Sequence, residues 1–365
     1  MKIAVFINSK GSSNWGTQAT VDGVVKQLEQ AYPNASIEFP TIPGLPSGIG
    51  RLLKSLNERG LGQSVIQNDL AGIVLYLNRL GVDPGFLDPF DMICFNGEGA
   101  IHRASSHVIR YMGLLSYAQS KGKRVVAVNQ TIDLSTKSIK AKVLASVYSQ
   151  LEFVSVREPL SLDRAQSLGL TKVNLVPDAV YCLKELQTLT KPGTRSCSPR
   201  QISVTGSSYL KKDQKSVNFQ RKILEVLTRK YPDHRIIYLV NAKTDRYLAN
   251  KLKEYFEIEI IDSNNTTYME AARVIRDSDF IVGGRQHPNI FSFIIGTPYL
   301  PIEGNSHKNR GVSLLQEYYP PFLDIRSSLS DIESGVDWVA SALLKRPDQL
   351  LNKPLYSNYA IQSDD

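Results

Sequence analysis

Short, almost unbroken apolar runs set apart by helical stretches constrain this chain more than any other feature. In the first half they are "KIAVFIN" (2–8), "DMICFNG" (91–97), "KRVVAVNQ" (123–130), "FVSVRE" (153–158) and "VNLVPD" (173–178). Runs of this length without polar alternation suit strands covered on both faces, the condition of a parallel sheet. Helical spacing lies between them, in "QATVDGVVKQLEQAY", in the long stretch 101–119, and at about 137–149 and 159–168. The rhythm stops at 181–200, where "TKPGTRSCSPR" reads as a linker. It then restarts with strands "QISVTGS" (201–207), "HRIIYLVN" (234–241), "FEIEIID" (256–262) and "SDFIVGG" (278–284). Helices are expected at 214–230, near 244–254 and near 267–277. A helix from Pro288 to about Ile295, the short strand "PYLPI" and a helix near 311–318 follow.

Two such series predict an α/β fold of two Rossmann-like domains facing a cleft. The expected partition is an N-terminal domain over 1–180, a linker over 181–200 and a C-terminal domain over 201–325. A final helix and tail over 326–365 would pack back against either domain. The chain's 365 residues suit two domains. In such sheets ligands sit beyond the carboxyl ends of the strands.

Lysine and arginine number 43 against 35 aspartates and glutamates, a net charge of +8 that favours anionic partners. The bases are scattered, and no zinc finger, arginine-rich arm or aromatic platform marks a nucleic-acid binder. Cys94, Cys182 and Cys197 are too few and too far apart for a disulfide framework or a zinc site. The first apolar run is too short for a signal peptide, and no stretch of eighteen or more apolar residues spans a bilayer. A cytoplasmic protein without a resident metal or cofactor is expected. The amphipathic stretches between 49 and 80 read equally as core-facing helices, as a cover for the substrate, or as a peripheral contact with the inner membrane face.

The densest chemistry lies in "GGRQHPNIFSFIIGTPYLPIEGNSHKNRG" (283–311). Pro288 can open a helix, because a helix start leaves its first N–H groups unpaired anyway. Gly284, Arg285 and His287 then sit in a strand-to-helix turn, where free N–H groups and the helix dipole favour an anion. Arg285 adds a fork of donors suited to phosphate or carboxylate. Histidine can give or take a proton near neutrality, the property a general acid needs. The plain alternative is a capping histidine beside a surface arginine. His307 and Lys308 stand at the next loop-to-helix junction, as second cations for the same site or as solvated surface groups.

Three further clusters fall at strand ends. Asn14-Trp15-Gly16-Thr17 enters the first helix and matches neither the dinucleotide fingerprint nor a Walker motif, so it reads as a ligand loop or a tight turn. Gly97 and Gly99 bracket Glu98 after Asn96, with His102 and Arg103 expected one turn into the helix. Glu98 reads as a general base, a binder of sugar hydroxyls, or a helix cap. Arg157, Glu158 and Asp178 end neighbouring strands, where Arg157 either holds an anion or forms a structural pair with Asp178.

Together, Asn14…Gly16-Thr17, Asn96-Gly97-Glu98-Gly99, Arg157-Glu158…Ser161 with Pro177-Asp178, and Gly284-Arg285-Gln286-His287 with Gly296-Thr297-Pro298 and Lys308 resemble the polysaccharide pyruvyl transferase family. The resemblance covers roughly residues 1–320. It implies a GT-B-like fold and transfer of a pyruvyl group from phosphoenolpyruvate to hydroxyls of a saccharide, usually as a cyclic ketal. Phosphoenolpyruvate is then a co-substrate and the acceptor is a saccharide, free or lipid-linked. Arg285, His287, Arg157 and Lys308 would fall on the donor side, with His287 the acid. Glu98 or Asp178 would take the hydroxyl proton. The sequence departs from the family where Gly16-Thr17 replaces the usual Gly-Asp and where Glu98 interrupts the second glycine run. A GT-B glycosyltransferase with a nucleotide-sugar donor, and Glu270 or Asp262 near the ribose, is the alternative. A non-catalytic sugar- or phosphate-binding relative is another.

Overall fold

Parallel pairing accounts for the unbroken apolar runs. The computed structural model describes residues 1–6, 11–42, 51–190 and 200–344. It divides into two compact units, one built from 1–6 and 24–178, the other from Gly11–Gly23 and residues 179–344. Part of the expected linker (191–199, with Cys197) and the tail beyond 344 lie outside the described residues.

The first unit holds strands β1 (Lys2–Phe6), β2 (Ser36–Glu38), β3 (Met92–His102), β4 (Arg124–Asp133), β5 (Phe153–Val156) and β6 (Asn174–Leu175). They form one sheet in the order β2-β1-β3-β4-β5-β6, parallel throughout. Its core gathers Phe6, Ile93, Phe95, Met112, Leu115, Val125, Ala127 and Leu144, all buried. The second unit holds β7 (Gln201–Ser207), β8 (Arg235–Val240), β9 (Glu259–Asp262), β10 (Ile281–Gly284) and β11 (Tyr299–Pro301). Their order is β11-β10-β7-β8-β9, again parallel. Both units are Rossmann-like, and the architecture is GT-B-like. The helix Leu329–Ser341, opened by a Ser328–Asp331 capping box, packs on the helix Gln214–Lys230 and on β11 of the second unit.

Three local expectations change. The helix foreseen from 101 begins only at Val108, because β3 continues beside β4 with Ile101 opposite Ile132 and His102 opposite Asp133. His102 therefore ends a strand rather than opening a helix. The helix foreseen from Pro288 starts at Gln286; proline is tolerated anywhere in the first turn, whose N–H groups have no intrahelical acceptor. The run 173–178 yields only a two-residue strand, and short helical turns at Ala179–Cys182 and Lys184–Gln187 occupy the start of the expected linker.

Candidate functional site

In the second unit, β10 runs into the helix Gln286–Ile295 with Arg285 as the N-cap residue. A Cβ on Gly284 would lie 2.5 Å from the Ser207 side chain and 2.7 Å from the Ile302 carbonyl oxygen. Glycine here lets β10 approach its neighbours. Arg285 turns onto Asp245, with Nε 2.9 and 3.2 Å from the two carboxylate oxygens and Nη2 2.7 Å from Oδ1. Asp245 is fully buried, while the arginine side chain keeps 14% of its surface. Burial pushes the Asp245 carboxyl up, and Arg285 and the N–H groups of Asn241 and Ala242 oppose that shift. The fork fixes the guanidinium plane and leaves Nη1 as the nitrogen not turned to Asp245.

His287, in the first turn of that helix, places Nε2 3.0 Å from Thr20 Oγ1. Its ring lies against Gly16, where a Cβ would overlap the imidazole. Gly16 and Thr20 are one turn apart on the helix Trp15–Ala31. The start of that helix is pinned in turn. Trp15 N–H donates to Asn241 Oδ1 (2.9 Å), Asn14 Nδ2 to Asn241 O (3.2 Å), and the Trp15 indole to Thr266 O (3.1 Å). Asn14 Oδ1 accepts from Thr17 N–H at 3.1 Å. Asn241 N–H donates to Asp245 at 3.0 Å, so one chain of bonds links Asn14 and Trp15 through Asn241 and Asp245 to Arg285. These bonds place the Asn14–Thr17 loop with the second unit, whereas the sequence partition set it in the N-terminal domain. His307 precedes the helix Lys308–Leu315, and Asn309 Nδ2 ties that helix start to Gly284 O (3.0 Å) and Ile302 O (3.1 Å). His307 and Lys308, both half-buried, thus neighbour the end of β10.

In the first unit the strand ends carry a buried polar cluster. Asn96 Oδ1 accepts from Asn129 Nδ2 at 3.1 Å, and Tyr148 OH donates to Gln130 Oε1 at 2.5 Å. The Gln130 side chain fills the space a Cβ on Gly97 would need. Glu98 and Asn129, on adjacent strands, both adopt left-handed backbone, with φ of +37° and +56°. The β3–β4 register shifts between Glu98 and Ile101, and the β4–β5 register shifts between Ala127 and Gln130. The bulges re-aim these side chains at the strand ends. Gly99 follows in the same irregular stretch of β3. Arg157 donates from Nη1 to Asp178 Oδ2 (2.7 Å) and from Nε to Thr131 Oγ1 (3.1 Å), and both members of the pair are 1% exposed. Glu158 caps the helix Pro159–Ser167 by accepting from Ser161 N–H at 3.0 Å. Among the described residues no cluster of three or more His, Cys, Asp or Glu is placed to hold a metal.

The sequence profile of the polysaccharide pyruvyl transferase family matches residues 14–306 of this chain. The chain belongs to that family. Among curated proteins none matches it in sequence. In fold it is similar to solved UDP-GlcNAc 2-epimerases. The enzyme from Methanocaldococcus jannaschii in complex with UDP-GlcNAc and UDP superposes with a TM-score of 0.58 at 12% identity, over 95% of this chain and 94% of that one. The Neisseria meningitidis enzyme bound to UDP-GlcNAc gives 0.60 at 10% identity, over 96% and 97%. The Rickettsia bellii enzyme gives 0.59 at 10% identity, over 99% and 93%.

Within this pyruvyl transferase family member, sequence reasoning singled out Arg285 and His287 but missed the groups that hold them. Asp245, Asn241 and Thr20 carry no motif of their own. The one available signal was Asn241 just after β8, with an acidic residue four positions on. Glu270 turns back onto Thr267 as a capping box, and Asp262 is held by Arg246 at 2.6 Å and by Asn264 N–H at 2.9 Å. Both thus have structural partners within the second unit.

Proposed function

We propose that this protein is a sugar-directed GT-B-type enzyme whose second unit takes a phosphorylated donor at Arg285 and His287. The observation that carries this reading is the pre-aimed guanidinium: Asp245 fixes Arg285 at a strand end beside a helix start, with His287 locked on Thr20 in the next turn. Two donors fit that geometry. A nucleotide sugar has the support of the fold comparison, since the similar Methanocaldococcus jannaschii and Neisseria meningitidis enzymes were solved with UDP-GlcNAc bound. Its diphosphate would lie on the N–H groups opening the helix Gln286–Ile295, with Arg285 Nη1 and Lys308 as cations. Phosphoenolpyruvate has the support of family membership.

In the pyruvyl reading His287 protonates the methylene carbon and a saccharide hydroxyl attacks the resulting cation at C2. Arg285 and the helix N–H groups stabilise the departing phosphate. Glu98 or Asp178 takes the first hydroxyl's proton. After phosphate has left, a second hydroxyl attacks C2, returns its proton to His287 and closes the ketal. In either reading a saccharide is the other substrate.

Isothermal titration of the wild type and of R285A with phosphoenolpyruvate, UDP-GlcNAc and UDP decides between the donors. Saturable binding of one of them, lost in R285A, identifies it. Binding of UDP-GlcNAc with none of phosphoenolpyruvate rejects the pyruvyl donor, and the reverse rejects the nucleotide sugar. Binding that R285A leaves intact removes the donor site from Arg285 altogether.

A further inference from the structure

The first unit carries an apolar patch that the donor chemistry does not use. On the helix Arg51–Ile66, Leu52, Leu53 and Leu56 are exposed by 74%, 60% and 52%. Singly exposed leucines are ordinary, but three within five residues of one helix form a patch. The opposite face of the helix is the packed one. Leu61 and Val65 are buried there, Gly62 lies against Ile109, Ile139 and Val143, and Lys54 and Glu58 are half-buried and paired at 3.9 Å. The leucines are therefore surplus to the fold.

The exposed charges around this helix are mostly basic, although Asp69 is exposed nearby and Asp133 pairs with Arg103 at 3.5 Å. The helix packs on the helices Leu70–Arg79, Val108–Ser120 and Ile139–Tyr148. Residues 103–120 and 134–148, which contain the last two of these and their leading loops, include Arg103, Arg110, Lys137, Lys140 and Lys142 and no acid. Arg59, Arg103, Lys137 and Lys142 are exposed. Lys140 Nζ bonds to the carbonyls of Arg103 (2.9 Å) and Ser105 (2.6 Å), which holds the two loops together. Leucines beside two helices whose charged residues are all basic match an anionic bilayer surface, where apolar side chains enter the headgroup layer and cations meet lipid phosphates. No helix among the described residues is long and apolar enough to cross a membrane.

We propose that this face of the first unit seats on an anionic lipid surface through Leu52, Leu53 and Leu56, with Arg59, Lys137 and Lys142 facing the headgroups. The proposal stands whichever donor the second unit takes.

The test is flotation of the full-length protein with phosphatidylcholine vesicles, with and without phosphatidylglycerol. The wild type should bind the anionic vesicles, less so as salt is raised, and bind neutral ones weakly. The double variant L53E/L56E should lose at least about tenfold in partitioning, because two apolar anchors become charged. K137E/K142E should lose several-fold on anionic vesicles only. Melting curves should stay at the wild-type position, since all four side chains face solvent, and the milder L53S serves as a second probe of the same face. The proposal is overturned if the wild type ignores anionic vesicles, or if L53E/L56E binds them as well as the wild type does. Light scattering that shows a wild-type dimer split by L53E/L56E would assign the patch to a second copy of the chain instead.

Discussion

Each unit carries an arginine–aspartate pair at its strand ends, and the two pairs differ in depth. Arg157 and Asp178 meet at 2.7 Å with both side chains 1% exposed. Arg285 and Asp245 also meet at 2.7 Å, but the arginine keeps 14% of its surface while the aspartate keeps none. A sealed pair has desolvated both charges and turns almost no surface to solvent. The half-open pair uses its buried carboxylate to orient a guanidinium whose remaining edge faces outward. The same two residue types thus form a sealed pair in one unit and a half-open pair in the other.

The largest effect expected from this contrast is on stability. Asp178→Asn should lower the unfolding free energy by about 3–5 kcal/mol, because it strands the buried Arg157 charge. The double replacement Arg157→Met/Asp178→Leu should recover most of that loss in urea unfolding. Should Asp178→Asn leave stability untouched and abolish turnover instead, the sealed pair would be a catalytic one and the contrast would collapse. Next in size is Arg285→Lys, which keeps the charge and removes the fork. It should cut kcat/KM by about a hundredfold with a stability change within roughly 1 kcal/mol. Asp245→Asn should act in the same direction, chiefly through KM, because it loosens Arg285 without touching the donor.

These depths explain what the sequence could and could not disclose. Apolar runs report strands covered on both faces, so the two parallel sheets were legible, with strand ends such as 201–207 recovered in full. The residues proposed for the chemistry, Arg285 and His287, stand in a recognisable motif spacing. The residues that orient them act through distance. Asp245 lies 40 positions from Arg285, and Thr20 lies 267 from His287, so only the folded chain brings them together. The Asn14–Thr17 loop groups with the second unit for the same reason, since its partners Asn241 and Thr266 follow more than 220 residues later. The overrun of β3 to His102 was hidden because Gly97 and Gly99 read as a loop, whereas pairing with β4 carries the strand past them.

A smaller effect sharpens the second unit's side of the contrast. Thr20→Val removes one hydrogen bond to His287 and should lower kcat by about fivefold, as expected for about 1 kcal/mol of lost orientation. Donor affinity at Arg285 should be unchanged, and titration calorimetry beside steady-state kinetics separates the two. A fall in both together would mean that His287 binds the donor rather than acting on it.

The smallest effect concerns the first unit, where strain instead of an ion pair marks the candidate site. Glu98 holds φ at +37°, a region that costs a side chain with a Cβ about 1 kcal/mol and costs glycine nothing. Glu98→Gly should therefore raise stability by roughly that amount, even though it removes a largely buried carboxylate. Turnover should fall while donor binding stays intact, because Glu98 lies in the first unit and the proposed donor groups Arg285 and His287 lie in the second. Glu98→Gln keeps both Cβ and strain, so it should leave stability near that of the wild type and lose the same turnover. A Glu98→Gly protein that is less stable would show that the carboxylate contributes more to packing than the backbone strain removes. Glu98 would then join Arg157 and Asp178 in the framework, and Arg285 with His287 would remain as the candidate chemistry.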